Sequence, residues 1–205
     1  MSENELREAV SARISESRFM HTEGVVRAAK RLAAELIPER IDEIAAAAYL
    51  HDIAKELSCE ELTMLSKKHG YEPSDDDISS PQVLHAFAAP SVITEAFPDY
   101  ATEDILSAVF KHTTGDKTMS IFDEIVFIAD YIEDGRKYPS CISVREKLYE
   151  ELRKAKNIAD KEQALHNAAL SSISYTLESL EKRGKTVNVK TLAAQKHLKE
   201  KLSGR

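Results

Sequence analysis

Six residues of this 205-residue chain combine suitable side chains with suitable spacing for chemistry: His21, His51, Asp52, His85, His112 and Asp130. His21 opens the stripe His21, Val25, Ala28, Leu32, and His51 follows Ala47 and Ala48 by one turn. His85 lies one turn before Ala88 and Ala89, His112 closes the stripe Ile105, Ala108, Val109, and Asp130 follows Val126 and Phe127. Residues three and four apart share a helix face, so these side chains point to the core. One histidine on an apolar face is ordinarily a hydrogen-bonded core residue. Four of them with two carboxylates need partners in common, and a shared metal centre would supply them. Nitrogen and oxygen donors without thiolate suit iron, manganese, zinc or cobalt, and argue against a structural zinc. Six donors exceed what a catalytic zinc needs, so two metals are expected, with Asp52 able to give one oxygen to each. Paired metals generate a nucleophile from water at neutral pH and clamp a phosphoryl group.

Three stretches could serve an anionic substrate beside such a centre. In "AAAAYLHDIAKE", 45–56, Lys55 is four residues from His51 and three from Asp52, so its ammonium could hold a phosphate oxygen. The competing reading is a solvated lysine paired with Glu56. In "KHTTGDKTM", 111–119, Thr113 and Thr114 offer hydroxyls and Gly115 turns the chain; the turn could cradle phosphate oxygens or simply stop a helix. In "ADYIEDGRKYP", 129–139, Glu133 and Asp134 follow Asp130, Gly135 breaks the helix, and Arg136 and Lys137 stand at the rim. Arginine suits bidentate phosphate contact. Tyr138 could stack on a base or pack against the protein.

The elements that must position these groups read as helices. Periods near 3.6 dominate and alternating strand patterns are nearly absent. Helices are expected near 3–16, 19–36, 41–54, 59–69, 81–96, 102–112, 120–134, 143–156, 159–183 and 188–201. Ser58 with Glu61 forms a capping box, Thr102 caps the next acidic start, and Gly70 stops a helix. Residues 72–81, "EPSDDDISSP", read as a loop. Pro90 lies five residues after His85, where proline would remove a hydrogen bond and crowd the Ala86 carbonyl. A kink there that moved His85 would weaken or remove the second metal. His69 precedes Gly70, where a cation complements a helix end. His166 and His197 read as surface or packing residues.

Composition narrows the classes. The 42% hydrophobic content suits one domain with a sizeable core. A net charge of −7 argues against general nucleic-acid binding. No apolar run is long enough for a membrane span, and the polar N-terminus lacks a signal-peptide core. Two cysteines, Cys59 and Cys141, give no disulfide framework, so a reducing cytoplasm is expected. A homodimer is allowed by the amphipathic C-terminal helices but nothing demands it.

The order His21, His51–Asp52, His85, His112, Asp130 resembles the HD superfamily of metal-dependent phosphohydrolases in its dinuclear members. "RFMHTEGV", "LHDIAKE", "HTTGDKTMSIFDEIVFIADYIEDGR" and "KYP" are similar to the bacterial YqeK-type subgroup, described as symmetrical diadenosine tetraphosphate hydrolases. The motifs cover about residues 17–140, and "TVNVKTLAAQKHL" resembles the family's C-terminal end. The resemblance implies an all-α HD-domain helical bundle with additional C-terminal helices, forming one domain over 1–205. It implies two divalent or mixed-valence metal ions, with iron expected and manganese, cobalt or zinc as the other choices. His21, His51, Asp52, His85, His112 and Asp130 would hold them, with Asp52 bridging. Asp52 and Lys55 would be catalytic. Arg18, Lys55, Thr113, Thr114, Gly115, Arg136 and Tyr138 would lie against a dinucleoside tetraphosphate. Two alternatives stay open: an HD phosphohydrolase of a nucleotide monoester or alarmone, and a nucleotide-binding or metal-storing module without turnover.

Overall fold

Serine hydroxyls cap five of the helices. Ser2, Ser15, Ser58, Ser74 and Ser120 each turn a hydroxyl to accept a backbone N–H of the first turn, satisfying a donor that the helix itself leaves free. The computed structural model describes residues 1–204. Their helices are α1 (Glu3–Ser11), α2 (Glu16–Leu36), α3 (Ile41–Leu50), α4 (Cys59–Lys68), α5 (Asp75–Ile78) and α6 (Pro81–Ala96). They continue as α7 (Glu103–Lys111), α8 (Ile121–Ile132), α9 (Pro139–Lys154), α10 (Ile158–Lys182) and α11 (Val189–Ser203), with 3₁₀ turns at Pro38–Arg40 and Pro98–Tyr100. Among these residues there is no strand, and no helix is long and apolar enough to cross a membrane.

Helix α3 is the centre of the bundle. It packs against α1, α2, α7 and α8, and its run Ala45–Ala48 is buried. Small side chains let those four neighbours approach closely, and Val25, Leu32, Leu50, Val109, Ile125 and Ile128 fill the space around them. Helices α4 and α6 pack side by side, and α6 leans on α7. The C-terminal helices form a second layer: α9 and α11 pack on α10, which lies against α8.

Four expectations need correction. The first helix ends at Ser11 rather than 16, because Ser15 caps α2; the backbone N–H of Ser15 also donates to Glu56 Oε2 at 2.8 Å. Within the supposed loop at 72–81, Ser74 and Asp77 form a capping box that starts the short helix α5. Helix α9 begins at Pro139, not 143, with proline in the first turn, where its missing N–H costs nothing. Pro90 does not carry His85 away. Helix α6 runs through it, and beside it Ser91 Oγ donates to Leu65 O at 2.7 Å, tying α6 to α4.

Candidate metal centre

Two of the six donors end helices, and that decides how they point. His51 caps the C-terminus of α3 and His112 that of α7, both in right-handed helical conformation. Each turns Nδ1 back to the carbonyl three residues earlier. His51 Nδ1 donates to Ala48 O at 2.7 Å and His112 Nδ1 to Val109 O at 2.6 Å. The helix C-terminus leaves carbonyls without partners, and the imidazole supplies one. With the proton held on Nδ1, each Nε2 presents a lone pair to the interior. After Leu50 the chain continues in tight turns, with Lys55 N donating to Asp52 O at 2.9 Å. So Asp52 stands on a turn rather than within the helix expected over 41–54, and Lys55 lies on the same run of turns.

The donors converge. His21, His51 and Asp130 have donor atoms within 4.8 Å of one another, and so do His51, Asp52 and His112. His51 belongs to both groups. His85 joins them, with Nε2 3.0 Å from Asp52 Oδ1 and 3.0 Å from His112 Nε2. His21 Nε2 is 2.9 Å from Asp130 Oδ1. Yet His21 Nε2, His51 Nε2 and Asp52 Oδ1 are buried with no hydrogen bond of proper geometry. Such orphaned atoms are rare in a folded interior. Donors at about 2.1 Å from one ion, on neighbouring vertices of an octahedron, lie about 3 Å apart. The close spacing without hydrogen-bond geometry is what a metal site requires.

Two of the imidazoles already favour the neutral form, whereas burial of His51 is outweighed by Asp52 and Asp130, which raise it above its ordinary value. Burial, with the charges of Lys55 and His112, pushes His85 down to about 4, so its imidazole is neutral. Burial likewise lowers His112. Asp52 resists burial because the surrounding imidazoles, His51 first and then His112 and His85, hold its carboxyl well below the usual range. Asp130 is held down in the same way by His21 and Arg136. A divalent ion takes neutral imidazoles with ionised carboxylates, so its binding displaces the proton that His51 attracts.

Three cations surround the centre. Arg18 Nη1 donates to Asp52 Oδ2 at 2.8 Å, Arg136 Nη2 donates to Asp130 Oδ1 at 2.7 Å, and Lys55 Nζ lies 3.6 Å from Asp52 Oδ1. Lys55 does not take up Glu56, which binds Ser15 instead. Burial pushes the Lys55 ammonium down, against the pull of Asp52 and Asp130. Thr113 Oγ1 lies 3.0 Å from His112 Nε2 and 3.4 Å from His85 Nε2. The rest of the HTTG turn is engaged elsewhere: Thr114 Oγ1 donates to Gly115 O, and Gly115 N donates to Lys111 O. Gly115 has φ of +65°, and a Cβ there would lie 2.7 Å from that of Ala194. Tyr138 stands apart from the centre, 68% exposed, at the start of α9.

Glu133 was placed by its spacing only on the face of Asp130, with no role. It is buried, accepts from His21 Nδ1 at 3.2 Å and from the Gly135 N–H at 2.6 Å. Gly24 makes its slot: a Cβ there would lie 2.4 Å from Glu133 Oε2. A glycine on the buried face of α2, three residues after His21, was the available signal. A carboxylate on the far nitrogen fixes a histidine's tautomer and its aim. Glu133→Ala is therefore expected to weaken manganese binding by about 10–100-fold with the helix content kept. Titration of metal-free protein, counting free Mn²⁺, checks it; unchanged affinity would remove Glu133 from the centre.

The other histidines lie away from it. His166 is buried, its Nδ1 2.6 Å from Glu124 Oε2, so it is a packing residue. His197 is half-buried with a buried Nε2 that has no partner. His69 caps the C-terminus of α4, as its place before Gly70 implied.

The HD-domain family model matches residues 18–135, which span all six donors. The chain belongs to the HD-domain family. It is 30% identical to the symmetrical bis(5'-nucleosyl)-tetraphosphatase of Halalkalibacterium halodurans, over 92% of each chain. It is 29% identical to the enzyme of that name from Bacillus subtilis, covering 76% of this chain and 82% of the other. Among solved structures it resembles a protein of Clostridium acetobutylicum described as a predicted HD superfamily hydrolase involved in NAD metabolism. That match has a TM-score of 0.83 and 29% identity, over 98% of both chains. The cluster and the family together make this HD protein a binder of divalent metal.

Proposed function

We propose that this HD protein hydrolyses diadenosine tetraphosphate and related dinucleoside tetraphosphates symmetrically, giving two nucleoside diphosphates. The observation that carries it is Asp52, whose oxygens lie 3.9 Å from His21, 3.4 Å from His51 and 3.0 Å from His85, with Arg18 and Lys55 beside it and Arg136 on Asp130. The relatives named above support the substrate. His21, His51, Asp52, His85, His112 and Asp130 would hold two metal ions, with iron the expectation and manganese, cobalt or zinc also suited to these donors. Bound there, the ions supply Lewis acidity and activate water.

The chain's own residues do the rest. Arg18 and Arg136 offer N–H donors to phosphate oxygens once these approach the centre. Lys55 Nζ, 3.6 Å from Asp52 Oδ1, would hold the oxygen that bridges the two central phosphorus atoms. Water's oxygen bonds to one central phosphorus, the bond from that phosphorus to the bridging oxygen breaks, and the second nucleoside diphosphate leaves with that oxygen. The buried alanines and Leu50 behind His51 exclude bulk water from the far side of the centre. The free thiols Cys59 and Cys141 fit a reducing cytoplasm.

Purified protein with iron or manganese under reducing conditions should convert diadenosine tetraphosphate to ADP alone, followed by chromatography. Release of ATP with AMP would overturn the symmetrical reaction. Faster turnover of an alarmone or a monoester would move the protein to another substrate class.

A further inference from the structure

The C-terminal segment "TVNVKTLAAQKHL" contributes no donor to the metal centre. Its start instead forms one wall of a groove of about 600 Å³. The other walls are the segment from Ser74 to Val83, the Thr113–Thr114 turn and the last turns of α10. Pockets for small molecules span about 300–1,000 Å³, so a nucleoside with its phosphates fits this one.

The groove is built, not left over. Asn188, at the start of α11, donates from Nδ2 to Asp77 Oδ1 at 2.6 Å. Asp77 is buried, and its other oxygen accepts from Tyr71 Oη and Ser74 Oγ, both at 2.8 Å. These bonds pin α11 to α5 across the groove, so the walls are set before any ligand arrives. Val83, Leu180 and Val187 give it an apolar lining, while Asp76, Ser80 and Gln82 supply donors and acceptors. An apolar slot edged by such groups matches the flat base and hydroxylated ribose of a nucleoside.

Its connection to the centre is Thr113. This residue lines the groove and also lies beside Nε2 of His85 and His112. Arg18 and Arg136 bind the other carboxylate oxygens, Asp52 Oδ2 and Asp130 Oδ1. A phosphate chain leaving the groove at Thr113 would thus reach the metal donors first and the arginines beyond them. We propose that this groove is a nucleoside subsite that takes one half of a nucleotide polyphosphate. This rests on the hydrolase reading above. The two halves of the substrate are then held differently: one nucleoside sits in the groove, and the other half is held through its phosphates.

The chain contains no tryptophan, so Leu180→Trp places a lone fluorophore in the groove and Val187→Trp a second version of it. Met64→Trp, on exposed α4, is the control. ADP should change the emission of the two groove variants saturably and leave the control silent, and pyrophosphate should not reproduce the change. The groove variants should also raise KM for diadenosine tetraphosphate about tenfold, or about 1.4 kcal/mol, with metal content unchanged. Silent reporters at saturating ADP, an equal response to pyrophosphate, or wild-type KM in both variants would overturn the subsite. Wild-type protein assayed beside them separates the two ideas: ADP as product with silent reporters removes the groove alone, and no hydrolysis removes the reading it rests on.

Discussion

Asp52→Asn is expected to lower kcat for diadenosine tetraphosphate by about 10³-fold or more, the scale of losing a principal electrostatic stabiliser, while the protein stays helical. The substitution keeps the shape and removes the charge. Four groups depend on that charge: Arg18 at 2.8 Å, His85 at 3.0 Å, and Lys55 and His112 at 3.6 Å. A neutral amide cannot give an anionic oxygen to two ions, so bound metal should fall together with activity. The fold should hold because His51 and His112 keep their bonds to Ala48 and Val109. Arg18 and Lys55 are partly open and can hydrate. Product formation, elemental analysis and circular dichroism on one preparation decide it. Activity within twofold of wild type would end the bridging role; lost helicity would show Asp52 to be structural.

The convergence of His21, His51, His85, His112 and Asp130 was legible because each is a polar residue on an otherwise apolar helical stripe, and Asp52 came with them as the neighbour of His51. Most helices were legible for the same reason, with the Ser58 and Thr102 caps marking two starts, whereas the caps at Ser15 and Ser74 were missed. Glu133 was not, because its importance lies in a distance: it meets His21, 112 positions away, in a space that Gly24 leaves open. The effect of Pro90 was misjudged because local rules price a lost hydrogen bond and not the packing that surrounds it. Helix α6 packs against both α4 and α7, and Ser91, next to Pro90, anchors it to Leu65. Helix α5 was hidden by its acidic run, although the Ser74–Asp77 box that starts it was present in the sequence. The groove was beyond reach, since its walls come from four separate segments.

Lys201→Met is expected to cost about 3 kcal/mol, which lowers Tm by roughly 6–12 °C in a chain of this size. The reason is the burial of its partner. Glu124 is fully buried on α8, six residues before Asp130. One of its oxygens is 2.6 Å from His166 Nδ1, and the other accepts from Lys201 Nζ at 3.0 Å. Lys201 also donates to Met119 O at 3.0 Å, so it ties α11 to the helix that carries Asp130. Removing Lys201 leaves a carboxylate that cannot reach water. Removing the charge of Glu124 is milder, because the Lys201 side chain is 29% exposed and can turn to solvent; Glu124→Gln should cost about 1 kcal/mol. The two losses are therefore not additive. The double variant should be more stable than Lys201→Met alone, since the amide needs no counter-ion. Denaturant unfolding of the four metal-free proteins measures the coupling. If Lys201→Met costs no more than Glu124→Gln, the buried carboxylate is satisfied by His166 alone, and α11 is held in place by its packing on α10 and its buried side chains Ala194 and Leu198 instead.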